Sequence, residues 1–551
     1  MLTILLLPVW AGAVVHYVNA DADSGGDGTT VATTGGTCAF DTIAAVNAHT
    51  FIAGDDVYFE CGDTWAGTVL TIDWEGVDAD NYSIIGAYEG DGDLTLEGDE
   101  TLPIIDGNGT VPSVIGEGLI SLFRNIGNDA AGYFIIQDLD VYRSGRIAIV
   151  LNRAGPYCIV QNCIVRNSGA QGIASTRNDH SLIYNNTVYN GNQVQGNGPG
   201  ILVSGMDNTD SDYNIIRGNT VYDCLEGIFV GKKAQYTLIE DNITYDIEGP
   251  LYYSDASKYT TFRNNIGYYS NAGVPQETGI QIENENERGY WFTEGHKIYD
   301  NFLSNCSVGI QVSSHYQRVT DSAAAQNDNH IYNNTLVDCA YNIYLYDGGF
   351  TNWTGNYFYN NLLYQTDYPT SGYQFTSDTN ISGFTFSNNY INWTSTLIQR
   401  EVYQITQAAS DPVIVADEDN PIARSTAFNL IAPGDITFSN YLTTYFGLVA
   451  ESACENAACA LTTTNGTGST ATALTVDDPL WFHGNEDDPL DDITVVAAET
   501  NISSITGSVL TVAPAISWTD EVAIYYRHFR GTAPDIGADE YQLSGAALMM
   551  Y

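Results

Sequence analysis

Residues 219–224, 242–247 and 265–270 read NTVYDC, NITYDI and NIGYYS. Each segment begins with Asn and continues with alternating β-branched or aromatic residues, which is typical of a short β-strand. The same motif, with Asn or Asp at its start, recurs at Asp138, Asn162, Asn186, Asn219, Asn242, Asn265, Asn301, Asn334, Asn361 and Asn389. The successive spacings are 24, 24, 33, 23, 23, 36, 33, 27 and 28 residues. A minimum spacing near 23 residues, together with several longer spacings, predicts stacked coils interrupted by loop insertions.

A second short strand, opened by Gly-Ile, follows many of these motifs, for example at 227–230, 279–282 and 309–312. No stretch keeps a helical period, so we predict two or three parallel strands per coil and an all-β, right-handed parallel β-helix. The repeated Asn then forms an inward ladder in which each amide bonds the next. Cys306 and Cys339 lie one coil apart and are predicted to be stacked thiols or a disulfide, a column of small buried residues being the simpler interpretation.

The composition excludes several functions. The 551 residues carry 67 acidic and 18 basic side chains, a formal net charge of −49, so no basic surface is available for nucleic acid or for an anionic membrane. No segment is long and apolar enough to span a bilayer. The apolar start with Ala11-Gly12-Ala13 resembles a signal peptide, which predicts a secreted, extracellular or cell-surface protein. A buried first strand or a misassigned start codon is the alternative.

The chain resembles the right-handed parallel β-helix proteins of the pectate-lyase-like superfamily. Residues 17–21 (YVNAD), 40–43 (FDTI) and 54–59 (GDDVYF) look like the N-terminal capping region of that family, and residues 533–541 (APDIGADEY) look like its closing motif. The resemblance is specific for the fold, whereas the same scaffold carries lyases, hydrolases, epimerases, adhesins and tailspikes.

Four regions are predicted from these patterns. Residues 1–13 are the signal peptide, 14–120 the N-terminal cap with the first irregular coils, 121–444 the β-helix repeats, and 445–551 a small C-terminal β-module with the closing motif. The module either caps the open edge of the solenoid or binds a ligand or partner.

Charged side chains gather after the Gly-Ile strands of the coils between residues 217 and 318, where eight of the 18 basic residues lie. A polysaccharide lyase neutralises a uronate carboxylate with Ca²⁺ or Arg while a base removes the C5 proton. We assign base and neutralising roles to Lys258, Arg288, His315 and Arg318. Hard-cation ligands are Asp255, Glu283 and Glu285, and the alternation of carboxylates in the N-terminal cap suggests a second Ca²⁺ loop at Asp21, Asp23 and Asp27.

Substrate-binding roles are assigned to one cation and several aromatic side chains expected to face outward, since aromatic rings stack on sugars. These residues are Lys232, Tyr252, Tyr290, Trp291 and Tyr344. In a glycoside hydrolase, two carboxylates on neighbouring coils would act instead, and Asp255 with Glu283 is one such pair. The alternative, in which none of these residues has a catalytic or binding role, is that all these charges are solvated loop residues.

The leading functional hypothesis is a secreted protein that binds, and in its specific form cleaves, an anionic polysaccharide by β-elimination, with Ca²⁺ as the only cofactor considered. The second is a glycoside hydrolase. The rival is a non-catalytic structural or adhesive protein of a cell surface, filament or virion fibre, with self-assembly through end faces or one flank. Because the chain is so acidic, binding of an anionic polymer is expected only at the Lys/Arg patch between residues 217 and 318.

Overall fold

The structure is a computed structural model. It describes residues 13–96, 100–123, 132–192, 198–205, 209–270, 277–284, 293–314, 326–346, 353–364, 373–377, 384–387, 389–391, 461–477, 482, 492–495, 498–506, 508–520 and 522–526. The chain divides into two compact units, Met1–Val203 and Ser204–Tyr551, and each is treated separately below.

Both units are built from coils of three short strands. We call these strands A, B and C in chain order, so that the recurrent Asn lies at the corner between A and B, and strand C is the Gly-Ile strand. Equivalent strands of successive coils pair in parallel, as Leu238–Glu240 and Thr261–Arg263 do on face A. The predicted parallel β-helix is therefore confirmed.

In the first unit the coils follow a short N-terminal cap, whose helix Ile43–Ala48 is capped by the hydroxyl of Thr42. Face A consists of Val15–Val18, Asp56–Glu60, Ser83–Tyr88, Phe134–Gln137, Ile159–Gln161 and Leu182–Tyr184. Face B consists of Thr64–Ala66, Ile104–Asp106, Asp140–Tyr142, Ile164–Arg166 and Thr187–Tyr189. Face C consists of Leu70–Ile72, Gly118–Phe123, Ile147–Asn152, Ile173–Thr176 and Pro199–Ser204, whose last residue begins the second unit.

The second unit continues the same strand order. Face A consists of Ile215–Arg217, Leu238–Glu240, Thr261–Arg263, Lys297–Tyr299, His330–Tyr332, Asn356–Tyr359 and Phe384–Ser387. Face B consists of Thr220–Tyr222, Ile243–Tyr245, Ile266–Tyr268, Phe302–Ser304, Thr335–Val337, Leu362–Tyr364 and Tyr390–Ile391. Face C consists of Glu226–Gly231, Tyr252–Asp255, Thr278–Asn284, Val308–Ser314, Tyr341–Tyr346 and Tyr373–Ser377, and a small pair, Ser211–Asp212 with Ala234–Gln235, follows it.

The inward Asn ladder is present and fully bonded. In the second unit the side-chain oxygen of each ladder Asn accepts both the backbone N–H and the amide N–H of the preceding one, for example from Asn242 to Asn265 at 3.1 and 3.0 Å. The side-chain amides also donate to backbone carbonyls, which leaves few buried polar groups unpaired at this corner.

Two motif residues of the first unit occupy a different position from the one predicted. Asp138 and Asn162 have left-handed φ values of 56° and 55° and lie at the outer corner, where Asn162 accepts from the amide of Asn185 at 2.8 Å. The inward position in that coil belongs to Cys163, whose N–H donates to Asn186 at 2.9 Å. The assignment was therefore wrong by one residue at these two sites, because the inward amide is replaced there by an apolar side chain or a thiol.

The C-terminal module is an antiparallel six-stranded sheet. Its strands are Thr462–Thr463, Gly468–Thr475, Asp492–Val495, Ala498–Thr506, Val509–Trp518 and Ala523–Tyr526. The core of this sheet includes Tyr299 and Tyr332 of face A, and the Lys297 ammonium donates to the carbonyl of Phe482. The module thus packs against the side of face A in these coils, which is a different place from the predicted open edge.

Seven described cysteines are reduced thiols, among them the buried pair Cys306 and Cys339. Burial and the neighbouring Cys339 thiol raise the pKa of Cys306. Of the two predicted alternatives, stacked thiols describe this pair. Among the residues described, no helix has the length and apolar character needed to cross a membrane.

Candidate active site on face C

Two carboxylates stand one above the other on the outer side of face C. Asp255 pairs in parallel register with Glu283, and the preceding residues, Ser254 and Ile282, are fully buried and point inward. Since side chains alternate along a strand, Asp255 and Glu283 both point outward. Strands of neighbouring coils lie ~4.8 Å apart, so the two carboxylates belong to one local site.

The two carboxylates have unequal surroundings. Glu283 is buried, and it accepts hydrogen bonds from the Tyr253 hydroxyl at 3.3 Å and from the amide of Gln281. Asp255 is half-buried. The ring of Tyr253 is held in turn by an edge contact with Phe229, with 5.1 Å between centroids. Hydrogen bonds fix the orientation of Glu283, and Asp255 is the more exposed of the two carboxylates.

Tyr253 and Gln281 were not predicted from the sequence. Both follow the inward Ile or Tyr of a Gly-Ile-type strand by one residue, and Tyr253, Gln281 and Gln311 share one outward column. Aligning the strands by their inward residues would have identified this column.

The ammonium group of Lys258 is bound to a carboxylate of the neighbouring coil. It lies on a separate ladder at the corner between faces C and A, bridged to Gln235 and Glu294. Its ammonium forms an ion pair with Glu294 at 2.5 Å, and the hydroxyl of Tyr259 donates to the same carboxylate at 3.0 Å. The ion pair links neighbouring coils, so Lys258 must leave Glu294 before it can act as a base.

Lys232 is exposed at the turn that follows face C. Its backbone N–H donates to the carbonyl of Asp255 at 2.9 Å, which places it on the coil next to the carboxylate pair. Within the described ranges, no carboxylate lies in ion-pair distance of its ammonium. The structure therefore brings together Lys232, Asp255 and Glu283 of the predicted set.

The predicted Lys/Arg patch is divided between different faces. Arg217 and Arg263 lie on face A, where both guanidinium groups bind the buried carboxylate of Glu240, Arg263 at 2.5 Å. Lys297 also lies on face A, under the C-terminal module. The described basic residues between 217 and 318 therefore do not form one surface, because residues in different strands of a coil point to different sides.

The predicted outward position of Tyr252 is also wrong. The side chain is fully buried, and its hydroxyl donates to the carbonyls of Asn242 and Ile266 at 2.9 and 2.8 Å. Its ladder partners Ile228 and Ile280 are core residues, so the column is inward. Tyr344 does face outward and is half-buried beside Tyr346 at a centroid distance of 6.3 Å.

The remaining predicted residues of this site lie outside the described residues. They are Glu285, Arg288, Tyr290, Trp291, His315 and Arg318.

The three carboxylates of the predicted N-terminal Ca²⁺ loop, Asp21, Asp23 and Asp27, have different surroundings. Asp27 accepts from the N–H and hydroxyl of Thr29 at 3.0 and 2.6 Å, and these hydrogen bonds lower the pKa of Asp27. Asp21 and Asp23 are exposed, and the N–H of Asp21 donates to Asn19. In the described part of the chain, no group of three or more His, Cys, Asp or Glu side chains is arranged to hold a metal ion.

Comparison with known proteins agrees with this architecture. A family profile described as "Right handed beta helix region" matches residues 125–274. This match and the three parallel sheets agree on a right-handed parallel β-helix. A search of curated proteins gives no significant match.

Several solved structures are similar to this chain at low sequence identity. The pectate lyase Pel9A has a TM-score of 0.46 and 13% identity, with 96% of each chain covered. The GH136 lacto-N-biosidase from Eubacterium ramulus has a TM-score of 0.40 and 14% identity, covering 68% of this chain and 67% of that one. An alginate lyase from Paenibacillus sp. str. FPU-7 has a TM-score of 0.35 and 16% identity, covering 59% and 96%.

Proposed function

We propose that this protein is secreted, binds a polysaccharide along the outer side of face C, and cleaves it with Asp255 and Glu283. The observation that carries the proposal is the stacking of these two carboxylates in register on adjacent coils, one buried and hydrogen-bonded, the other half-buried. Unequal surroundings of two neighbouring carboxyl groups are the usual arrangement for acid and nucleophile in glycoside cleavage.

The surroundings assign a role to each carboxylate. Glu283 accepts hydrogen bonds from Tyr253 and Gln281, which hold its charged form in place, and we assign it as the nucleophile that attacks the anomeric carbon. Asp255 exchanges protons with solvent and protonates the leaving oxygen, then removes a proton from the water that releases the sugar. The ~4.8 Å spacing of the coils is close to the ~5 Å separation in retaining enzymes, so we expect retention of configuration.

A second candidate, β-elimination of a uronate polymer, uses the same pair differently. Asp255 and Glu283 are hard oxygen donors, and a Ca²⁺ ion held by them would neutralise the uronate carboxylate of the substrate. The base would come from Lys258, after release from Glu294, or from Arg288, His315 or Arg318. Lys232, exposed beside the pair, would face the anionic chain.

The test combines two readouts on one panel of neutral and acidic polysaccharides. Hydrolysis releases reducing ends without absorbance at 235 nm, whereas β-elimination yields an unsaturated product that absorbs there. We expect Asp255→Asn and Glu283→Gln each to reduce turnover at least about a hundredfold, as loss of a general acid or nucleophile does. Gln311→Glu, a change of similar size in the adjacent outward column, serves as the control for altered charge on face C.

The outcomes separate the candidates. Turnover that survives chelation and produces reducing ends without absorbance at 235 nm supports the carboxylate pair, and turnover that requires Ca²⁺ and absorbs at 235 nm supports β-elimination. If no polysaccharide is cleaved while the protein remains folded, the catalytic proposal fails and the structural or adhesive hypothesis replaces it.

A further inference from the structure

The interior of the second unit has a second polar corner besides the Asn ladder. It lies where strand C leads into strand A of the next coil, and we call it the C–A corner. In one coil this corner contains Ser254, Ser257 and Thr260, all fully buried. Their hydroxyl groups form a chain, with 2.6 Å between Ser254 and Ser257 and 3.0 Å between Ser257 and Thr260. The polar side chains of this coil therefore satisfy one another.

The C–A corner two coils further along is also hydrogen-bonded. Its buried residues include Gln326 and Asn329. The amide of Gln326 donates to the carbonyl of Ser313 at 2.8 Å. The amide of Asn329 donates to the side chain of Asn356 at 2.9 Å, and its oxygen accepts from the backbone N–H of His296 at 3.0 Å. Hydrogen bonding is thus established on both sides of the coil that contains His296.

The coil between these two is different. Pairing of the residues that follow them places Thr293 beside Ser257. In the same way His296 lies beside Thr260, and Asn284 is the last residue of strand C in this coil. Within the described part of the chain, neither atom of the Asn284 amide and neither ring nitrogen of His296 has a hydrogen-bond partner. The exposed fractions of these two residues are only 1% and 0%.

The groups that lie near His296 satisfy at most half of its ring. Burial lowers the pKa of His296 to about 3, so the imidazole is neutral at ordinary pH. A neutral imidazole has one N–H and one nitrogen with a lone pair, which needs a donor. The carbonyls of Thr260 and Ser257 lie near the ring and can accept only from the N–H. The second nitrogen therefore requires a group that donates.

Leaving such groups dry is unfavourable. An unsatisfied buried polar group lowers the folding equilibrium constant by about ten- to a hundredfold, which is why nearly all such groups are paired. Asn284 and His296 together need both donors and acceptors, and they are not within hydrogen-bond distance of each other. A water molecule supplies both functions, and buried water is found where it has two to four polar partners.

We propose that buried water binds in the C–A corner of this coil, hydrogen-bonded to Asn284 and His296. Thr293 lies between them in the chain, and its hydroxyl donates to the carbonyl of Glu283 at 3.0 Å, which leaves its oxygen able to accept from water. Because Asn284 follows Glu283 directly, the water lies behind the backbone that carries this carboxylate. It belongs to the interior of the solenoid and is independent of the proposed function.

The experiment counts long-lived internal water molecules in the full-length protein by oxygen-17 magnetic relaxation dispersion. Asn284→Leu and His296→Phe remove the polar groups at similar volume, and we expect each to lower the count by at least one. The matched control is Asn185→Gly, which changes an exposed Asn and should leave the count unchanged. Equal counts in the wild type and in both interior variants would overturn the proposal.

Urea unfolding gives a second readout, whose sign differs between a hydrated and a dry site. If water bridges the groups, Asn284→Leu deprives it of a partner and the unfolding equilibrium constant should rise about tenfold. If the groups are dry, the same change removes an unpaired amide, and a fall of this constant would reject the water. Should a variant fail to fold, a crystal structure of the wild type decides the question. Ordered solvent density bonded to Asn284 and His296 supports the proposal, and protein atoms or no density in that place refutes it.

Discussion

Replacing Asn301 by alanine removes one rung of the inward ladder, and its cost follows from the hydrogen bonds. The amide nitrogen of Asn301 donates to Phe262, Tyr299 and Asn334 at 2.9, 3.0 and 3.0 Å, and its oxygen accepts twice from Asn265 at 3.0 Å. A buried hydrogen bond contributes about 1 kcal/mol, and more when its removal leaves a buried partner unsatisfied. Three donor contacts share two amide hydrogens, so we expect a loss of about 3–5 kcal/mol of unfolding free energy.

The measurement is urea unfolding followed by far-ultraviolet circular dichroism. The control is Asn185→Gly, which removes a single exposed hydrogen bond to Asn162 and keeps a residue suited to the left-handed φ of 52°. We expect that control to cost about 1 kcal/mol or less. A midpoint shift for Asn301→Ala no larger than that of the control would show that the ladder does not hold the coils together.

Three further predictions follow from other parts of the structure. Burial lowers the pKa of His296 to about 3, below its ordinary value of 6.5. Because the unfolded chain therefore takes up the proton first, the free energy of unfolding should fall as the pH drops from about 6.5 toward 3. The variant His296→Gln should flatten this pH dependence in urea titrations, and an unchanged slope would contradict the assignment. Lys258→Met should lower the thermal midpoint by breaking the ion pair with Glu294 while leaving carboxylate-pair cleavage within about threefold of wild type, and complete loss of turnover would instead identify Lys258 as the base. Lys297→Ala should speed limited proteolysis within the C-terminal module by removing the contact with Phe482, and equal proteolysis rates would show that this contact does not retain the module.

The repeat was predictable because its cause is local. A buried amide that must bond the coil below and the coil above recurs at every turn, and Asn219, Asn242 and Asn265 therefore appear at equal spacing in the sequence. In the coil where Cys163 takes the inward position, the only Asn of the motif is the corner residue Asn162. The repeat pattern therefore predicts Asn162 as the inward residue, although the next residue occupies that position.

The candidate site was predictable only in part, because it depends on which way each side chain points. Asp255 and Glu283 were identified together, since both lie near the end of the second short strand in neighbouring coils. Tyr252 was placed outward because its strand lacks the usual Gly-Ile start, which shifts the apparent alternation by one residue. The separation of Arg217 and Arg263 from Lys232 depends on the strand of the coil to which each belongs, and composition over a long window does not contain that information.

Because Asn219, Asn242 and Asn265 are equally spaced, the two coils between them contain the same number of residues. Deleting residues 220–242 would bring Asn219 into contact with Asn265 with the same hydrogen bonds that it now makes to Asn242. The solenoid would shorten by one strand spacing of ~4.8 Å, and Arg217 and Arg263 would become neighbours without the Glu240 carboxylate that now binds both. The ladder thus fixes the spacing of the coils and not their number, and duplication or loss of a whole coil changes the length of this protein together with the outward side chains that the coil carries.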